Sequence, residues 1–170
     1  MPRNYIVFGL AGTGKDAFAG IMRKQLKVDT LALADPIREE YVRFTGRYDY
    51  KQNRPLMIEI GESYKKIYGQ DVWCKQAISR GDFSKGVLIM DGRYAEEYDF
   101  FVNKFGFIPI RLEADDDIRF ERLQKRDGTI QREALEYEKR RFLPETYETL
   151  TINTNGTIEQ LEEIVRGTFG

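Results

Sequence analysis

No histidine occurs among the 170 residues, and there is one cysteine, Cys74, and one tryptophan, Trp73. The missing histidine excludes His-ligated metal sites, Ser-His-Asp hydrolysis and histidine general-base chemistry. A single cysteine cannot close an internal disulfide, which suits a reducing cytosol. No apolar stretch is long enough to span a bilayer. The apolar run after Arg3 begins as a secretory signal would, but glycines interrupt it and Lys15 ends it, so it reads as a first strand. An excess of either charge is also lacking. Twenty-seven basic residues against 28 acidic ones leave a net charge of −1, which disfavours nucleic acid as a partner while leaving room for a local basic patch. These absences predict a soluble, cytoplasmic chain with no membrane partner. Its length is most simply one domain, 1–170, able to bury a core without staples.

What is present begins with Gly9-Leu10-Ala11-Gly12-Thr13-Gly14-Lys15-Asp16, between the apolar run Tyr5-Ile6-Val7-Phe8 and Ala17-Phe18-Ala19-Gly20-Ile21-Met22. The spacing G-x-x-x-x-G-K is that of a phosphate-binding loop (P-loop). A strand runs into a turn whose N–H groups can point inward, and the turn opens a helix whose positive end favours an anion. Gly9, Ala11, Gly12, Thr13, Gly14, Lys15, Asp16 and Ala17 are therefore expected to hold a nucleotide's phosphates, with Lys15 acting on the β- and γ-phosphates as a point charge. The bland alternative is a glycine-rich turn with Lys15 in solvent. Asp16 stands where the pattern has Ser or Thr. A carboxylate there can hold Mg²⁺ directly or through water, because that ion prefers oxygen.

Strands and helices alternate along the rest of the chain. Strands are expected at Leu31–Ala34, Val87–Asp91, Phe107–Leu112 and Leu150–Asn153, and Pro109 predicts that its strand lies at an edge or carries an irregularity. Helices are expected up to about Lys27, from Pro36 to Thr45, from Pro55 to Gly69 and after a cap at Asp71. Two more are built on Tyr98, Phe101, Val102 and Phe105, and on Ile158, Leu161, Ile164 and Val165. This order predicts an α/β, three-layer P-loop NTPase fold: a five-stranded parallel sheet with helices on both faces. The helices at about 35–82 exceed what a crossover needs and read as an acceptor-binding insertion, and the charged stretch at about 115–141 reads as a lid.

Ligands of such sheets bind beyond the carboxyl ends of the strands. Asp91 ends an apolar strand as a Mg²⁺-holding carboxylate does, or as a helix cap does, and one residue can do both. Arg93 can clamp a phosphate bidentately or pair with Glu96 or Glu97 on the surface. If about 116–126 is helical, Arg119, Arg122 and Arg126 share an arc. Such a group is either a solvated face or a lid closing over phosphoryl oxygens.

Four segments, Gly14-Lys15-Asp16, Leu33-Ala34-Asp35-Pro36-Ile37-Arg38-Glu39, Ile60-Gly61-Glu62 with Asp71-Val72-Trp73, and Ile89-Met90-Asp91-Gly92-Arg93, together resemble the bacteriophage deoxynucleoside monophosphate kinases. Animal phosphomevalonate kinases and dephospho-coenzyme A kinases are more distant relatives in the same group. The resemblance covers most of the chain, and in those phage kinases an aspartate also follows the P-loop lysine. It implies ATP and Mg²⁺ as cofactors, a small-molecule acceptor that is a nucleoside monophosphate, and a homodimer as an admissible assembly. Lys15, Arg93, Arg122 and Arg126 would carry catalysis, and Asp16 and Asp91 would hold the metal. Arg119 would meet the donor, and Asn155-Gly156 its adenine. Asp35, Arg38, Arg54, Arg93, Tyr64 and Trp73 would contact the acceptor, although core packing is the favoured reading of both rings. An acceptor phosphate is already ionised, so positioning and charge neutralisation suffice without a strong base. Asp35 departs from the related segment, which has glycine or another small residue before the proline, and this leaves the acceptor open. The alternatives are a kinase for another small molecule, with Asp35 or Asp91 as base for an alcohol, a nucleotide-hydrolysing switch, and a kinase acting on bases within DNA, which would need a basic groove.

Overall fold

The computed structural model describes residues 1–130 and 132–170. Five parallel strands, β1 (Tyr5–Phe8), β2 (Asp29–Leu31), β3 (Val87–Gly92), β4 (Ile108–Glu113) and β5 (Leu150–Asn153), lie in the order β2-β3-β1-β4-β5. Helix α1 (Lys15–Leu26) follows β1, and α2 (Ala34–Thr45), α3 (Arg54–Tyr68) and α4 (Val72–Ile78) stand between β2 and β3. After β3 comes α5 (Ala95–Tyr98), prolonged by a π-helical turn over Asp99–Lys104, then α6 (Asp116–Asp127) and α7 (Arg132–Arg141) between β4 and β5, and finally α8 (Ile158–Phe169).

Successive strand residues point to opposite faces. Tyr5, Val7, Leu88, Ile110 and Ile152 join Phe18 and Met22 of α1 and Leu161 and Val165 of α8 in one core. Ile6, Phe8, Val87 and Ile89 join Cys74, Ala77, Phe100, Phe101 and Leu143 in the other. Complete burial of a side chain such as Phe8 or Phe18 contributes roughly 1.5–3 kcal/mol. The continuous apolar runs of β1 and β3 are the signature of strands covered on both faces.

The structure corrects several boundaries. β2 lies earlier than the apolar run Leu31–Ala34 predicts: Asp29–Leu31 pairs with Val87–Ile89, and Leu33 is already the N-cap of α2, in helical geometry. The helix thus starts before Pro36 rather than at it. β4 is not an edge strand, since it lies between β1 and β5. Pro109 is tolerated there because the N–H of Ile108 points to the β1 side, at Asn4 O (2.9 Å), so the proline nitrogen points to the β5 side. β5 begins to pair only opposite Ile110.

The wider π turn buries Phe100 together with Phe101 and leaves Phe105 44% exposed, which breaks the face predicted from helical spacing. In α8 the inward stripe runs through the buried Leu161 and Val165 to the partly buried Phe169, packed edge-on against Tyr5, while Ile158 and Ile164 are exposed. Asp71 precedes α4 but its side chain does not cap it; the carboxylate pairs with Lys75 at 3.2 Å. Among the described residues no helix is long and apolar enough to cross a membrane.

Candidate active site

The loop after β1 is shaped by glycine where no other residue fits. Gly12 has φ +83°, and a Cβ there would sit 2.7 Å from the carbonyl oxygen of Arg119. Buried side chains brace the loop. The hydroxyl of Thr154, just past β5, lies 2.7 Å from the Thr13 carbonyl and 3.2 Å from that of Glu113. Arg119 donates Nε to Ala11 O at 3.0 Å and Nη1 to Asp116 at 2.7 Å, and its buried Nη2 has no partner among the described residues. Arg122 donates to Gly12 O at 3.3 Å and also to Thr154 O. Asn155 accepts the N–H of Asp115 at 2.8 Å, fixing the start of α6 to the end of β5, and Gly156 follows it into α8.

Lys15 opens α1 and folds back on the loop, donating to Gly9 O at 2.5 Å and Leu10 O at 3.1 Å. Burial lowers its pKa to about 8, and the charge of Arg93 acts in the same sense; Glu138, Asp91 and Asp16 oppose both. Asp16, in the first turn of α1, is exposed, and among the described residues its carboxylate has no hydrogen bond or ion pair. Ala17 follows it in the same turn.

Asp91 serves as a cap, though not for a neighbouring segment. Its two oxygens accept the N–H groups of Leu33 (2.7 Å) and Ala34 (3.0 Å), the start of α2. Burial raises its pKa, against these N–H donors and the charges of Arg93 and Arg38. Arg93 does not pair with Glu96 or Glu97 through its guanidinium. The Glu97 carboxylate accepts the backbone N–H of Arg93 (2.5 Å) and of Tyr94 (2.9 Å), and burial pushes Glu97 up to about 7. The guanidinium donates to Glu138 of α7 at 2.7 Å.

On the β2 side a cavity of about 600 Å³ is lined by Leu31, Asp35, Arg38, Tyr48, Tyr50 and Arg80 among others. Asp35 and Arg38 pair within it at 2.7 Å. Tyr64 and Trp73 stack on each other, 5.2 Å between ring centroids at 8°. Trp73 is 6% exposed and donates its indole N–H to Gly61 O, so as placed it packs the insertion and offers no free ring face to an acceptor. Arg119 likewise is 2% exposed and braces the loop. Arg54 opens α3 on the surface, and its charge acts on Asp127 at the end of α6. Arg126 pairs with Asp127 at 2.7 Å and also feels the charge of Asp16. The structure thus brings Lys15, Asp91, Arg93 and the loop together, and leaves Arg54 and Arg126 at the rim.

The AAA_18 family, described as an AAA domain, matches residues 6–143, from β1 to just past α7. This chain belongs to the AAA_18 family. It is also 28% identical over 123 residues to the UPF0200 protein of Staphylothermus marinus, covering 72% of this chain and 62% of that one, so it spans less than two thirds of that relative's length. Among solved structures it is similar to TT1252 from Thermus thermophilus (TM-score 0.61, 20% identity, 99% of each chain). It is similar also to a gluconokinase from Sinorhizobium meliloti 1021 (TM-score 0.58, 14% identity, 95% of this chain and 88% of that one). At these identities the likeness to solved structures is one of fold, the parallel sheet with helices on both faces.

Two residues of this AAA_18 chain take part in the candidate site with little to mark them in the sequence beyond, for Thr154, its place just past a strand. Thr154 is one of several polar residues after β5, and only its burial (5% exposed) distinguishes it. Glu138 lies in a run of charges, Glu136 to Arg141, where nothing in the spacing sets it apart. Its Oε1 accepts both the N–H of Ala11 (3.0 Å) and the guanidinium of Arg93.

Proposed function

We propose that the chain is an ATP-dependent kinase that transfers the γ-phosphoryl group to the phosphate of a ribo- or deoxynucleoside monophosphate, giving the diphosphate. The observation that carries this reading is the anion position formed by Ala11 N–H and Arg93, with Lys15 beside it. A separate cavity starts at Asp35 and Arg38, next to the helix end held by Asp91. The loop and this cavity support a reading in which donor phosphates and acceptor occupy separate places.

The loop amides and Lys15 orient the donor, and Arg93 bridges the two phosphates as charge spreads over the transferring group. Arg122 and Arg126 add positive charge from α6, and Arg38 faces the acceptor. The acceptor phosphate is ionised at neutral pH and attacks without a base; the oxygen between the β- and γ-phosphates leaves as the terminal oxygen of ADP. The donor set suits Mg²⁺: Asp16 is unpaired among the described residues, Asp91 keeps further lone pairs, and two carboxylates plus phosphates are the usual complement. Mg²⁺ held there would neutralise charge on the phosphate oxygens.

A hydroxyl acceptor is the second reading, favoured by the position of Asp35 in the cavity wall, where it could take the hydroxyl proton. Incubation with ATP, Mg²⁺ and a panel of ribo- and deoxynucleoside monophosphates, modified pyrimidines included, tests the first. ADP should appear only with an accepted monophosphate. If none is phosphorylated the nucleotide acceptor is wrong, and if ADP accumulates without any acceptor the chain is a hydrolase. Asp35→Asn separates the two kinase readings, because it should abolish transfer to a hydroxyl and spare transfer to a phosphate.

A further inference from the structure

We propose that Glu138 is the chain's own occupant of the donor-phosphate position, a carboxylate latch on α7 that nucleotide must displace. The inference rests on the donor site described under Proposed function and adds a competitor within the chain.

Three observations converge on it. First, one oxygen of Glu138 receives two donors from separate elements, the loop N–H of Ala11 and the guanidinium of Arg93. These are donors that a phosphate oxygen would take, and the Glu138 side chain is only 11% exposed. A carboxylate and a phosphate oxygen seek the same N–H donors, so the two exclude each other at this position.

Second, α7 has no buried side chain. What holds it down is polar: Glu138 itself, Lys139 on Asp116 at 3.1 Å, Arg141 over the ring of Tyr94 at 5.2 Å and Arg132 over that of Phe120 at 5.1 Å. The last three involve exposed side chains and each contributes little. A helix held this way can leave without exposing a core.

Third, the segment just after α7 is fixed. Leu143 is 1% exposed, its N–H donates to Arg93 O at 2.7 Å, and Arg111 donates to the carbonyls of Leu143 (2.9 Å) and Pro144 (2.8 Å). α7 therefore has a fixed attachment at its C-terminal end and a detachable contact at Glu138. A nucleotide brings several phosphate oxygens against one carboxylate, takes Ala11 N–H and Arg93 for itself and frees Glu138 to solvent. The chain's affinity for nucleotide is lowered by the fraction of molecules in the latched state.

Metal-free ADP and inorganic pyrophosphate, titrated calorimetrically into the full chain and its variants, provide the test. Glu138→Gln keeps the shape and removes the charge, and should bind both ligands about tenfold tighter than the unmodified chain, the factor expected if about nine molecules in ten are latched. Glu136→Gln, an exposed neighbour on the same helix, should bind as the unmodified chain does. Should the glutamine variant not fold by circular dichroism, Glu138→Asp, which draws the carboxylate back by one methylene, should tighten binding in the same direction. Unchanged or weaker binding by a folded Glu138 variant overturns the latch and leaves the donor site standing. Failure of the unmodified chain and of every variant to bind either ligand overturns the donor site, and the latch with it.

Discussion

The loop Gly9–Gly14 and helix α7 meet where Ala11 N–H and Arg93 share the Glu138 carboxylate, the proposed anion position, and are held there in opposite ways. The loop is backed by buried groups, Thr13, Thr154 and Arg119, each 5% exposed or less, and its carbonyls are taken by Thr154, Arg119, Arg122 and Lys15. Apart from the largely buried pair of Glu138 with Arg93, α7 rests on an exposed ion pair and on arginines over aromatic rings. The difference is one of cost. Removing a buried donor or acceptor leaves its partner without water, whereas an exposed pair that opens is rehydrated at once. The proposed phosphate site is thus a rigid wall facing one that the latch proposal makes detachable.

Changes in the wall should have the largest effects. Lys15→Met should lower turnover by at least about 10²–10³-fold, the cost of losing one preorganised charge at a transferring group, while circular dichroism and thermal unfolding show an intact fold; near-normal turnover would remove the loop from the chemistry. Thr154→Val keeps the volume and deletes the hydroxyl, leaving the buried Thr13 carbonyl short of a donor. It should cost about 1–3 kcal/mol in denaturant unfolding and weaken ADP binding, and a smaller loss would mean that the loop supports itself.

The third effect is in protons. With its pKa lowered to about 8 against an ordinary 10.5, charged Lys15 costs stability in full below about pH 8, and the cost is relieved as pH climbs from there toward 10.5. A phosphate beside it favours the charged form again. ADP binding at pH 8.5 should therefore take up a proton, read as a binding heat that differs between buffers of different ionisation heat; the uptake should shrink as pH falls toward 7.5, where Lys15 is mostly charged before ADP arrives. The smallest effect belongs to the detachable side. Lys139→Ala should change stability by less than about 1 kcal/mol, and a larger loss would show α7 to be part of the rigid wall.

Much of the wall was legible in the sequence, because its shape comes from short-range rules. The strand, the glycines and Lys15 follow one another within eleven residues, and Asp91 ends an apolar run as a strand-end carboxylate should. Helical spacing also points Trp73 inward, and the ring is buried in the structure (6% exposed). What the sequence concealed depends on distance along the chain. Asp91 reaches Leu33 across 58 residues and Glu138 reaches Ala11 across 127, and neither pairing leaves a local pattern. The π turn at Asp99–Lys104 escaped for another reason: a 3.6-residue period cannot anticipate a turn that adds a residue. Pro109 misled because a strand can be interior along most of its length and free at one end.

The capping of α2 by Asp91 has a further consequence for the acceptor side. The positive end of a helix is ordinarily an invitation to an anion, but at α2 two of the N–H groups that would answer one are already answered by a carboxylate from inside the protein. That door is shut. A negative charge arriving in the cavity would then meet not those two N–H groups but Arg38 and Arg80, each already paired with a carboxylate of the same wall, so that the choice among incoming molecules would fall to side chains.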